Sequence, residues 1–131
     1  MHARPTFGRF PVSIDLVLAQ ELALIREASK PEVRLQRRKR AADLLVSLRA
    51  QVLRTDGRPD ATGRTYEYRV RVNDAYRTAG YGTDEIERES AALRHHVSTA
   101  ARAYFTDLDE YGVLPYDRNE SIRRKREATR V

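Results

Sequence analysis

An all-α domain of about four helices is the fold class this sequence predicts, and three observations carry it. Apolar residues recur at three- and four-residue spacing in four separate stretches, the period of a helix with one buried face. Glycine and proline are few, six and five in 131 residues, which leaves room for long uninterrupted elements. One short run, residues 66 to 72, alternates as a strand does, but a lone strand leaves its backbone groups unpaired.

The first helix is expected over 13–29. Ser13 stands as N-cap, Asp15 sits where the helix dipole favours an anion, and Ile14, Val17, Leu18, Leu22 and Ile25 follow at helical spacing. A second helix over 31–55 opens on Pro31, continues through Leu35, Ala41, Ala42, Leu45, Leu48, Val52 and Leu53, and meets a stop at Gly57. After the loop "DGRPDATGR" comes a stretch that fits two templates. Tyr66, Tyr68, Val70 and Val72 alternate with charged residues, while Tyr68, Val72, Ala75, Tyr76 and Ala79 recur as a helix. No second alternating run offers a partner, so the helix is preferred, over 65–79. The fourth helix, 83–111, has Thr83 as the expected N-cap and Asp84, Glu85 and Glu87 in its first turns. Its stripe of Ile86, Ser90, Leu93, Val97, Ala100, Ala101, Tyr104, Leu108 and Tyr111 falls in an arc of roughly 100°. Residues 1–12 read as an irregular N-terminal arm, 13–112 as one helical domain, and 113–131 as a basic C-terminal tail.

Composition excludes several classes of function. With 40% apolar and 34% charged residues the chain is too apolar to be wholly disordered. It has no cysteine, which removes disulfides, thiol nucleophiles and cysteine-based metal sites and fits a cytoplasmic protein. No apolar run approaches the roughly 20 residues of a membrane span, and the best N-terminal run, "IDLVLAQELALI", is broken by Asp15 and Glu21, so neither a span nor a signal peptide is expected.

Net charge is +6, from 25 cations against 19 anions, a balance that favours nucleic acid or an acidic protein surface as partner. Only Lys30, Lys39 and Lys125 are lysines; an arginine share that high also follows from a GC-rich coding sequence and carries little weight alone. Distribution says more. Residues 31–54 hold seven cations and two anions, residues 113–131 six and three, and residues 83–112 three and seven. The run Arg37, Arg38, Lys39, Arg40 lies inside the second helix, where four consecutive residues fan over about 300° and cannot all face one phosphate backbone. Lys39 and Arg40 are expected to point outward; Arg38 lies along the apolar margin and must snorkel. The same tetrapeptide returns in the tail as Arg123, Arg124, Lys125 and Arg126.

Specific motifs are thin. "AYRTAGYGTDEI", residues 75–86, has the cadence of a helix-turn-helix reader, but its second helix would offer Asp84, Glu85 and Glu87 to the nucleic acid, which phosphates repel. "DLDEYGVLPYDR", residues 107–118, places Asp107, Asp109 and Gly112 as a calcium loop does, yet Tyr111, Pro115 and Arg118 occupy ligand positions. His95 and His96 diverge by about 100° on a helix and cannot share a metal from one face. His95 instead falls in line with Arg88 and Arg102, an outward basic strip. No serine stands in a nucleophile-elbow or phosphate-loop context. No cofactor, metal site or catalytic residue is assigned, and an enzyme is not expected.

These readings converge on a small non-enzymatic helical protein that binds nucleic acid, DNA or RNA, mainly through phosphate contacts, as a regulator or accessory subunit. The expected carriers are Arg37, Arg38, Lys39, Arg40 and Arg123 to Arg126, joined by Arg69 and Arg71. The alternative is a helical protein-interaction module that presents Tyr66, Tyr68, Tyr76 and Tyr81, with the long stripe of the fourth helix free to pair in a homodimer.

Overall fold

The structure, a computed structural model, describes residues 13–105. The N-terminal arm, Leu108 and Tyr111 of the long stripe, the calcium-like loop and the basic tail with Arg123 to Arg126 lie outside the described residues.

Ser13 opens α1, Ile14–Glu27, and its hydroxyl accepts the Asp15 N–H at 3.2 Å, so the expected cap is in place. Ala28 to Lys30 leave the helix because Pro31 forces its predecessor into extended backbone, and Pro31 then begins α2, Pro31–Gln51. The second helix stops four residues before the expected end. Val52 turns away at φ −93° and ψ 128°, and the Asp60 N–H caps the Val52 and Arg49 carbonyls at 2.9 and 3.1 Å as the chain folds back. Gly57, expected to end the helix, instead sits in the following turn at φ +84°, where a side chain would be strained.

Asp60 organises that return loop. It is fully buried, and its carboxylate accepts from the backbone of Arg64 and Thr65 and from the Thr65 hydroxyl at 3.1, 3.0 and 2.6 Å. Burial works to raise its pKa, but these donors outweigh it and hold the carboxyl below its ordinary range. Thr65, fixed in this way, caps the next helix by accepting the Tyr68 N–H at 3.2 Å. The ambiguous segment is therefore helical: α3, Tyr66–Thr78, buries Tyr68, Ala75 and Tyr76 and half-buries Val72 and Ala79. Tyr66 and Val70, which a strand would have turned inward with Tyr68, are exposed.

Gly80 ends α3 at φ +94°. Its N–H donates to the Arg77 carbonyl and that of Tyr81 to the Tyr76 carbonyl, both at 3.0 Å, the double hydrogen bond of a Schellman turn. The apolar contact that accompanies such turns is here an edge-on pair of Tyr76 and Tyr81 rings, centroids 5.1 Å apart. The last helix, α4, spans Thr83–Tyr104, short of the expected end at 111, because Phe105 turns into extended backbone at φ −91° and ψ 92°; Tyr104, expected in the buried stripe, is exposed. Its N-cap is Gly82, not the expected Thr83; the Glu85 carboxylate reaches back to accept the Gly82 N–H at 3.0 Å, while glycine offers no side-chain oxygen to the first-turn N–H groups.

Packing joins α2 to α1 and to α4, and α1 to α3. One core cluster draws on all four helices, with Leu18, Leu22, Ile25, Leu48, Leu93 and Tyr76 fully buried. Burying a leucine of this kind contributes about 2 kcal/mol, so the central α2, with Ala41, Ala42, Leu45, Val46 and Leu48 inside, anchors the fold. Among the described residues there is no strand, only an isolated bridge between Leu53 and Pro59 in the return loop.

Candidate functional site

The basic run of α2 divides by azimuth. Arg37 turns toward α1, where its Nη1 meets the buried Glu21 carboxylate at 3.3 Å. Arg38 turns toward α4 and forks onto Glu89, Nε to Oε2 at 2.8 Å and Nη2 to Oε1 at 2.9 Å. The bidentate match raises the Arg38 pKa above its already high ordinary value. Lys39 and Arg40 face water, as the helical projection required.

The two carboxylates are what the sequence reading missed. Glu89 occupies the place in the α4 stripe that was given to Ser90, which is in fact exposed. Glu21 lies between Leu18, Leu22 and Ile25 on the buried side of α1. Each is a charged residue in an apolar arc opposite an arginine, and that juxtaposition is the signal that identifies them.

Of the α3 cations, Arg71 is engaged: its Nε and Nη2 hold Asp15 at 3.0 and 2.6 Å, and its Nη1 reaches Glu67 at 3.4 Å. The Arg71 hydrogen bonds hold the Asp15 carboxyl below its usual range. Arg69 is exposed. Of the four tyrosines expected on a contact surface, Tyr68, Tyr76 and Tyr81 are buried and only Tyr66, 78% exposed, reaches solvent. The Tyr81 hydroxyl donates to the Leu22 carbonyl at 2.7 Å, which lets the ring go inside without an orphaned polar tip. The α4 stripe is likewise spent within the chain: Leu93, Val97 and Ala101 are buried in the core, so they are not a free seam for a second copy.

One set of polar side chains left facing water lies along the edge where α2 and α4 meet. Lys39 and Asp43 from α2 and His95, His96 and Thr99 from α4 line an open groove of about 650 Å³, floored by Leu35, Ala100 and Ala103. Partial burial first, then the charges of His95, Lys39 and Arg38, hold the His96 pKa below that of an ordinary imidazole, which favours its neutral form. Arg88, His95 and Arg102 are all exposed, with Arg40 on the neighbouring face of α2. The start of α4 is unsuited to reading bases: Glu85 is engaged by Gly82 and by Arg26 Nε at 3.0 Å, and Asp84 is exposed beside it. No group of three or more histidine, aspartate or glutamate side chains among the described residues is placed to hold a metal ion, and none of the described helices is long and apolar enough to cross a membrane.

Neither the family models nor the curated proteins nor the solved structures contain a significant match to this chain.

Proposed function

We propose that the protein binds nucleic acid non-enzymatically, through phosphate contacts made along the α2/α4 edge. The observation that carries the reading is the groove in which Lys39, His95, His96 and the Thr99 hydroxyl face one opening with a single carboxylate, Asp43, among them. Arg88, His95 and Arg102 follow one another by seven residues, about 10 Å of helix rise per step, so that each meets a different phosphate. Arg40, Arg69 and the tail cations Arg123 to Arg126 extend the contact, whereas Arg37, Arg38 and Arg71 hold the fold together and leave the list of direct carriers. Recognition of this kind reads backbone charge, not sequence, because phosphates repel the acidic start of α4 and keep it from the base edges.

The test is a salt titration of binding to a mixed-sequence duplex and to a single strand. It compares the intact chain, the double variant K39Q/R40Q, and a chain ending at Asn119. The intact chain is expected to bind with log affinity falling linearly in log salt, and each lost phosphate contact flattens the duplex slope by about 0.9. An intact chain that binds neither nucleic acid at low salt defeats the proposal and turns the same cations toward an acidic protein surface.

A further inference from the structure

A second opening lies on another side of α4. The turn at Gly80 to Gly82 sends α3 and α4 apart: α3 packs on α1 and touches α2, α4 packs on α2, and the two are not packed along each other. Between them is a cleft of about 490 Å³, within the span of small-molecule sites. Its apolar lining is continuous with the core, with Tyr68, Val72 and Tyr76 from α3, Leu93 and Val97 from α4, and Leu45 of α2. The polar lining is Arg49, Arg94, Thr62, Ser90 and Ser98, two guanidinium groups and three aliphatic hydroxyls beside the Tyr68 and Tyr76 phenols, with no carboxylate.

Three details separate this cleft from an ordinary gap between helices. Arg94 is exposed and lies within ion-pair distance of no carboxylate among the described residues. Arg49 gives its Nη1 to the Ala61 carbonyl at 3.1 Å and stacks its guanidinium over the Tyr68 ring at 5.1 Å, yet among the described residues it has no carboxylate partner, and its Nε, packed beside Gly63, has no acceptor. The buried Tyr76 hydroxyl meets Ser90 Oγ at 3.4 Å, beyond the usual range for two hydroxyls. A cleft of mixed lining, apolar where it meets the core and with only cationic charged groups, is complementary to a molecule with an apolar body and a negative end.

We propose that the α3/α4 cleft binds a small organic carboxylate, an apolar body of one or two rings placed over Leu45, Tyr76, Leu93 and Val97 with its carboxylate held by Arg94 and Arg49. The volume suits a small molecule and not a partner helix, and the planar guanidinium fork suits a carboxylate. The site is independent of the groove at Lys39, His95 and His96, which opens on a different side of α4.

The test uses 2-naphthoate as probe and uncharged 2-naphthylmethanol as its control, titrated into the full chain while backbone amide resonances are followed by NMR. The acid is expected to shift amides clustered at residues 45–49, 68–76 and 90–98, and to bind more tightly than the alcohol. Arg94→Gln, a surface change that leaves the fold alone, weakens the acid by about fivefold or more and leaves the alcohol unchanged. Ser98→Phe fills the cleft and abolishes both. The proposal is overturned if the acid shifts no amides at millimolar concentration, if its shifts map elsewhere, or if acid and alcohol bind the wild-type chain equally.

Discussion

Arg37 and Arg38 turn toward α1 and α4 and meet buried carboxylates, whereas Lys39 and Arg40, on the same helix and of the same charge, face water. Nothing in the tetrapeptide distinguishes the two halves; the azimuth of each residue on α2 and the presence of Glu21 and Glu89 opposite it do. A run of like charge on a helix is thus two chemistries, one that ties neighbouring helices together and one left over for a partner. Counting cations mixes them.

The sharpest way to break this comparison is at Arg38. Arg38→Ala leaves the Glu89 carboxylate, 9% exposed, without its fork and is expected to cost about 3 kcal/mol, read as a fall in the denaturant midpoint. A loss no larger than that of Arg40→Ala would erase the distinction. Asp60→Ala, which orphans the backbone donors of Arg64 and Thr65 and loosens the α3 cap, should cost about 2 kcal/mol. It should also change the acid limb of stability. The folded pKa of Asp60 lies below its ordinary value of 3.8, so its contribution is complete above that pH and is lost as pH falls through the folded value. The variant should therefore lose less stability than the wild type on acidification below about pH 4. Arg37→Ala removes one longer contact to Glu21 and is expected to cost about 1 kcal/mol. The smallest effect belongs to the outward half: Lys39→Gln and Arg40→Gln should each move stability by no more than about 0.5 kcal/mol while weakening nucleic-acid binding.

Much of this arrangement was legible in the residues. The helical period placed all four helices, chose helix over strand for residues 66 to 78 through Tyr68, Val72, Ala75, Tyr76 and Ala79, and turned Lys39 and Arg40 outward. What it missed has one physical source, since period reports which face a residue is on and not what stands opposite. The apolar rule excluded Glu89 from the stripe because a buried glutamate needs Arg38, a partner 51 positions away. Tyr81 looked like a surface residue because its hydroxyl needs an acceptor, and that acceptor is the Leu22 carbonyl 59 positions away. The end of α2 went the same way: the early stop at Gln51 follows from the buried Asp60 loop, and no local signal marks it.

The Tyr76 and Tyr81 pair also has a spectroscopic meaning. With seven tyrosines and no tryptophan, the near-ultraviolet absorbance of this protein is tyrosine absorbance. Burial pushes the Tyr76 phenol up to about 12 and raises Tyr81 as well, while an unfolded chain ionises its tyrosines near 10. Alkali therefore favours the unfolded chain, and the stability these rings supply is complete below pH 10 and lost as pH rises toward 12. In an alkaline titration the exposed tyrosines ionise first, near pH 10, and the later part of the phenolate band, from buried Tyr68, Tyr76 and Tyr81, rises together with the loss of helix, so absorbance without an added dye records when the aromatic core opens.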